Sequence, residues 1–297
     1  MSNIYQGEQL SLFDIVLPPN TTQEIEAVVK PQKAETVIKP QQIPSQTDFS
    51  MAKVPDEEFS ITPLKKDEIP TINEIIKLID KCVYKVGIHE FLADIFEVSA
   101  IAISNRFCPN DEREKNYKLI INKYDKATRL IITEIFAKIY TLLSTQIYYG
   151  FNDYLGELYM RSSTSSSKAG QFFTPYNLSK MCAKVAISED RVKEHIAKDE
   201  ILTMHEPTCG AGGMIVAAAD VLYNDFHFNY SRNLLVECGD IDKRCVHMTY
   251  LQLALTGIPA VVYHRDGLSL ETWDRWETPA YIMQWLRFRN VLKENKK

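Results

Sequence analysis

"EPTCGAGGMIVAA", residues 206–218, sets a carboxylate, a proline and closely spaced glycines between an apolar run and an alanine-rich one. The run in front, "ILTMHEP" (201–207), has the length of a short buried strand, and "GGMIVAAADVL" (212–222) follows as a helix. A strand that runs straight into Gly210 and Gly212 lets the backbone take angles that other residues avoid. It also lets a ligand approach the main chain closely. The pattern therefore predicts a nucleotide-type site at the carboxyl end of a first strand.

Working outward, the alternation continues. "NLLVECGDID" (233–242) predicts a second strand and "KRCVHMTYLQLALTG" (243–257) a helix stopped by Gly257 and Pro259. "PAVVYHRD" (259–266) predicts a third strand. Upstream, "GQFFTP" (170–175) places Thr174 as a helix cap and Pro175 at the first helical position, with Leu178, Met181, Cys182 and Val185 as the buried face. Strand–helix–strand units of this length imply an α/β fold, a parallel sheet with right-handed crossovers.

The chain ahead of this region reads differently. "TINE" (71–74) is a capping box, followed at helical spacing by Ile75, Ile76, Leu78, Ile79, Cys82, Val83 and Val86. Further helical patterns cover 88–104 and, after the Asn110-Asp111 start signal, 112–149 up to Gly150. "FNDYLGELYM" (151–160) continues the helical pattern and "SSTSSSKAG" (162–170) reads as a surface loop. The expected organisation is a disordered leader over 1–70, a helical domain over 71–160 and the α/β domain over 161–297. The leader holds eight of the thirteen prolines and shows no sustained periodicity. Within it, "QLSLFD" (9–14) resembles the peptide by which bacterial replication and repair proteins dock on the sliding clamp, with Gln9 fixing register and Leu12 and Phe13 entering an apolar pocket. A short apolar cluster in a tail is the competing reading.

Bulk properties narrow the class. The 297 residues are 45% hydrophobic, enough for a substantial core. The six cysteines form no C-x-x-C pair and no signal-peptide pattern opens the chain, so a reduced, cytoplasmic protein is expected. No run approaches the about 18 apolar residues that would cross a bilayer. A net charge of −5 requires a local basic surface or a partner for any contact with nucleic acid.

Three acidic residues close the three strands. A dinucleotide fingerprint would want glycine where the chain has Ile215, and no Lys-Ser/Thr follows as in a phosphate loop. Glu206 ahead of the glycines would repel a pyrophosphate, but it suits the cationic part of S-adenosylmethionine. Asp240 could accept from both ribose hydroxyls and Asp266 from an adenine amino group. Each alone has a plainer explanation as a turn former or cap; the ordered set forms a coherent adenosyl pocket. The six histidines lack metal-ligand spacing, and no base can be assigned to make Cys209 a nucleophile.

"GELYMRSSTSSSKAGQFFTP", "EPTCGAGG", "GDIDKRCVHMTYLQLALTGI" and "HRDGL" together resemble, over residues 150–270, the N6-adenine DNA methyltransferase family that includes the methylation subunits of type I restriction-modification systems. The resemblance implies a Rossmann-like S-adenosylmethionine-dependent core with a shortened parallel sheet, preceded by a helical domain. It assigns Gln171, Phe172, Phe173, Thr174 and Pro175 to the methionine side of the cofactor. Glu206, Cys209, Gly210 and Gly212 fall to the glycine turn, where the family usually has Asp at the position of Glu206. Asp240 matches the ribose-binding acid and Asp266 the adenine-side acid. DNA, a specificity or complementing subunit, and the cofactor are the implied partners. Short members of the family carried by mobile elements end similarly.

One family element is missing. A tetrapeptide of Asn or Asp, two prolines and an aromatic normally holds the flipped-out adenine beyond the adenine-side acid. This chain has "TPAY" (278–281), where Thr278 lacks the carbonyl that would accept from the adenine amine, so no catalytic residue is assigned. The closing "WLRFRNVLKENKK" (285–297) mixes Trp285 and Phe288 with basic residues and reads as a solvated terminal helix or a nucleic-acid contact. Two functions follow as expectations: a site-specific DNA adenine-N6 methyltransferase, or a catalytically degenerate relative that binds the cofactor as a regulatory, anti-restriction or clamp-recruited module.

Overall fold

The computed structural model describes residues 64–82, 87–163 and 172–294, with side chains beyond 286 left aside. The clamp-like peptide at 9–14, Gln171, and the loop following Ser163 lie outside the described residues. After a single 3-10 turn come eight helices: α1 Ile72–Asp80, α2 Ile88–Phe107, α3 Asp111–Asn122, α4 Lys126–Ser144, α5 Gln146–Tyr149, α6 Tyr154–Ser163, α7 Tyr176–Ala186 and α8 Glu189–Lys198. The alternating half follows as β1 Leu202–Glu206, α9 Gly213–Asn224, α10 Tyr230–Asn233, β2 Leu234–Asp240, α11 Lys243–Thr256, β3 Ala260–Arg265, β4 Thr272–Glu277 and α12 Pro279–Glu294.

The start signals act as read. Thr71 accepts from the Glu74 amide and Glu74 answers at the Thr71 amide, forming the capping box of α1. The helix ends at Asp80, short of the expected Val86. The expected helix over 112–149 is three, because Asp125 interrupts it and caps α4 through the Thr128 amide. Helix α8 escaped the sequence reading; Ser188 caps it, accepting from the Arg191 amide.

The sheet has order β1-β2-β3-β4. The first three strands are parallel, as expected, and β4 adds antiparallel to β3, with Val262 opposite Trp276. The sequence leaves room for one strand or helix after β3 and assigns no strand to "TWDRWE" (272–277). Its anchor is long-range: Arg113 of α3 lays its guanidinium 3.6 Å over the Trp276 ring and donates to Asp274 Oδ1 and the Arg275 carbonyl. The usual right-handed crossovers, advancing one strand at a time, put α9 and α11 on one face of the sheet, where they touch. Helix α11 packs in turn on α2, α4 and α6, so helices and sheet share one continuous core.

Helix α7 corrects the reading of its faces. Leu178, Met181 and Val185 are 45%, 57% and 83% exposed, and Cys182 is only partly buried. The docked face is instead Ser179 and Ala183, whose small side chains let α7 come close to Ala217, Ala218 and Val221 of α9. Tyr176 Oη donates to Asp220 Oδ2 at 2.7 Å, and Lys180 and Lys184 pair with Asp220 and Asp225 at 2.7 Å each. Polar anchors and small residues thus fix the helix the other way round from its hydrophobic stripe. Pro175 takes the cap position and Thr174 makes no capping bond, one residue later than expected.

Beside α7, β1 pairs on one side only among the described residues, with β2. Thr203 and His205 are exposed where a fully buried strand was expected. Replacing both Met181 and Val185 by Ser should leave the thermal midpoint within ~2 °C of wild type, since neither packs inside. Ala183→Leu should lower stability by about 1–3 kcal/mol through overpacking against α9. Thermal denaturation of the two variants checks the orientation of α7.

Candidate functional site

The carboxyl ends of β1 and β2 meet at the glycine turn. Gly210 and Gly212 take φ of +55° and +94°, the left-handed region in which a side chain is strained. The turn is closed by the Gly212 amide donating to the Cys209 carbonyl at 2.8 Å, and the Cys209 amide donates to the Gly239 carbonyl at 2.9 Å, tying it to β2. Thr249 Oγ1 of α11 donates to the Gly210 carbonyl at 2.8 Å. A Cβ on Gly212 would sit 3.1 Å from that same hydroxyl oxygen, so the position is closed by both conformation and space.

Asp240, at the last position of β2, accepts from the Gly210 amide at Oδ2 and from the Asp242 amide at Oδ1, each at 2.9 Å. Its carboxylate is thereby oriented by backbone that the two strand ends supply. The turn and Asp240 line a cleft of about 240 Å³, together with Phe172, Phe173, Thr174 and Thr208. Of the residues expected at a cofactor, the cleft brings together Phe172, Phe173, Thr174, Cys209, Gly210 and Asp240. Gly212 begins α9 just behind the turn, and Pro175 begins α7.

Like Gly212 and Pro175, Glu206 and Asp266 lie outside this lining. Glu206 accepts from the Thr208 amide at 3.3 Å and shapes the turn from its strand side. Asp266 is turned back on its own loop. The amides of Leu268 and Ser269 donate to its Oδ1 and hold the carboxyl below the usual aspartate range. That loop abuts the glycine turn, because Gly267 lies against the Pro207 carbonyl.

The cleft also holds a residue that sequence reading missed. Asp153, between α5 and α6, is 6% exposed yet lines the cleft beside Gly213 and Met214. Its Oδ1 accepts from the Gly156 amide at 2.9 Å and from Gln252 Nε2 at 2.7 Å. Gln252 also donates to the Ala211 carbonyl at 2.7 Å. The one available signal was Gln252, a polar residue inside the apolar stretch of α11. Burial pushes the Asp153 carboxyl up, and Glu157 one turn on adds to the shift, against the lowering by Gln252 and the Gly156 amide.

Burial, with Cys209 alongside, pushes the Cys238 thiol up, away from the thiolate form. Among the described residues no three His, Cys, Asp or Glu side chains group as metal ligands, and no helix is long and apolar enough to cross a membrane. In the "TPAY" segment, Thr278 is fully buried; its Oγ1 accepts from the Ala260 amide at 2.9 Å and donates to the Ile258 carbonyl at 2.8 Å. Thr278 fastens the start of β3 to the head of α12.

Residues 151–296 match the family model described as N-6 DNA Methylase. No curated protein matches the chain. Among solved structures, the chain is similar to the type I restriction-modification system methyltransferase subunit from Streptococcus thermophilus, at 11% identity and a TM-score of 0.27, over 64% of this chain. The match spans 57% of that subunit.

The buried carboxyl has a signature in stability. A carboxyl whose folded pKa lies above its unfolded value favours the fold fully below the unfolded pKa, near 4, and loses that contribution as pH rises through the folded value. Asp153→Asn removes a group that must ionise against burial, while keeping an oxygen for Gln252 and the Gly156 amide. The thermal midpoint of the variant relative to wild type should therefore rise between acid and neutral pH, and a difference that stays flat across that window would contradict the burial reading. Gly212→Ala should cost about 1–2 kcal/mol from backbone strain, read by denaturant unfolding.

Proposed function

Residues 151–296 belong to the N-6 DNA methylase family, and from that premise we propose that the chain is a methylation subunit of restriction-modification type. It binds S-adenosylmethionine in the cleft at Gly210 and serves methylation of adenine N6 in DNA, with a partner chain completing the side that receives the base. The junction of Gly210 with Asp240 carries the reading. A turn with glycine at 210 and 212, at the end of β1, stands against a carboxylate fixed by two backbone amides at the end of β2.

The residues fit the cofactor. Gly210 and Gly212 take the left-handed angles that shape the turn, Gly210 lines the cleft without a side chain, and the carboxylate of Asp240 retains lone pairs for hydroxyl donors beyond the two amides it already accepts. Asp240 would hold the ribose, Phe172, Phe173 and Thr174 the methionine side, and Asp266 would serve the adenine side from the neighbouring loop. Glu206 and Cys209 would set the shape of the turn. When bound, the cofactor supplies an electrophilic methyl group. The protein's own part is placement: the partly buried ring of Phe173 gives the cleft an apolar wall, and the two strand ends would fix the orientation of the bound nucleoside.

The base side supports partner dependence. Thr278 spends its hydroxyl within the fold, and the unpaired edge of β1, beside the outward stripe of α7, offers a place where another polypeptide could add a strand. The same use of Thr278 favours the second reading, a cofactor-binding relative without turnover of its own.

Calorimetry with S-adenosylmethionine, paired with transfer of a labelled methyl group to unmethylated DNA, separates these readings. Wild type should bind the cofactor, and Asp240→Ala should weaken binding ~10- to 100-fold, the range for losing hydrogen bonds to a charged group. Absence of binding by wild type would overturn the proposal. Turnover by the chain alone would place an adenine pocket within it; turnover only with a second subunit would support partner dependence.

A further inference from the structure

We propose that Asp153 receives the α-ammonium group of the bound cofactor, so that the two buried carboxylates of the cleft divide the ligand between them; the assignment rests on the cofactor reading above. Asp240 stands at Gly210, whose amide donates to it at 2.9 Å. Asp153 stands three residues along the same turn, against Gly213, where an added Cβ would lie 2.6 Å from Oδ2. The carboxylates thus bracket the turn. S-adenosylmethionine has neutral hydroxyls at its ribose and its cationic groups at the methionine end. With Asp240 at the hydroxyls, the other carboxyl falls to the cation.

The two oxygens of Asp153 have different employment. Oδ1 is used by the fold: the Gly156 amide and the Gln252 amide both donate to it, fixing the side chain and capping α6. Oδ2 takes no hydrogen bond among the described residues, although the side chain is 6% exposed. The capping task needs one oxygen and no charge, so an asparagine would serve it. An acid instead leaves a second acceptor and a latent negative charge against the cleft, at the cost of burying it.

Among the described residues no lysine or arginine lines the cleft to neutralise that charge. Burial holds the carboxyl toward its protonated form, and an ammonium placed against Oδ2 supplies both a donor and a compensating charge. Ser179 and Met214, the other side chains near this end, carry no charge.

A ligand cycle tests the assignment by binding alone. Calorimetry on wild type and Asp153→Asn would use three nucleosides: S-adenosylhomocysteine, its analogue with a hydroxyl in place of the α-amino group, and 5′-methylthioadenosine, which lacks the amino-acid portion. Wild type should prefer S-adenosylhomocysteine over the hydroxyl analogue by ~10- to 100-fold. Asp153→Asn should lose most of that preference while binding 5′-methylthioadenosine as wild type does, which also certifies that the variant is folded. Undiminished preference in Asp153→Asn would overturn the proposal and leave Asp153 as a helix cap. The proposal also falls, with the cofactor reading intact, if wild type binds all three without preference. Failure of wild type to bind any of the three would overturn both.

Discussion

The side-chain amide of Gln252 holds three separate stretches of chain at one buried point. One N–H reaches the Ala211 carbonyl inside the glycine turn and the other reaches Asp153 at the head of α6, both at 2.7 Å. The Leu155 amide donates back to its carbonyl oxygen at 3.4 Å. These groups are buried, so the arrangement is strongly specified: displacing any one of them leaves a buried partner unsatisfied, which costs more than a made bond contributes. The crossover helix α11 thereby sets the glycine turn from behind while Thr249, one turn earlier on the same helix, sets its other carbonyl. Moving α11 would move the cleft.

That dependence explains why the helical half and the sheet share one core. Helix α11 packs on α2, α4 and α6, Lys243 pairs with Glu97 at 2.6 Å, and Arg113 reaches from α3 to β4. The helices ahead of the sheet do more than precede it. They form the wall against which α11 is held, and the head of α6 brings Asp153 to the cleft. A carboxyl that burial pushes up is retained at the point where the two halves meet the ligand cleft, a placement that fits function better than stability.

What the sequence made legible follows from how local each signal is. The first three strands, their helices and the turn at Gly210 were readable because strand runs, glycine stops and the periodicity of buried helices are written in neighbouring residues. Asp240 could be anticipated because a strand end is a local feature. Asp153 was not: it looked like part of a helix, and only contacts 99 and 41 residues apart, through Gln252, reveal its place. Strand β4 was hidden for a related reason, since its aromatic and charged residues become a strand through Arg113, far away in the chain. Helix α7 shows the reverse failure. Its apolar stripe at Leu178, Met181 and Val185 obeyed the periodicity rule, yet Ser179 and Ala183 pack more closely on the alanines of α9, and the Asp220 anchors decide the matter.

The outward stripe and the one-sided pairing of β1 belong to the same feature. A parallel strand ordinarily has neighbours on both sides and apolar residues on both faces, but β1 alternates buried Leu202 with exposed Thr203 and His205, and among the described residues it pairs only with β2. Soluble proteins blunt such edges with short strands and charge; β1 is five residues long and ends at Glu206, flanked by His205. The edge is therefore protected against indiscriminate pairing while α7, packed on α9, carries an unburied apolar row. A strand arriving with its own apolar side chains would satisfy both surfaces at once, whereas a strand or an apolar helix alone would satisfy only one.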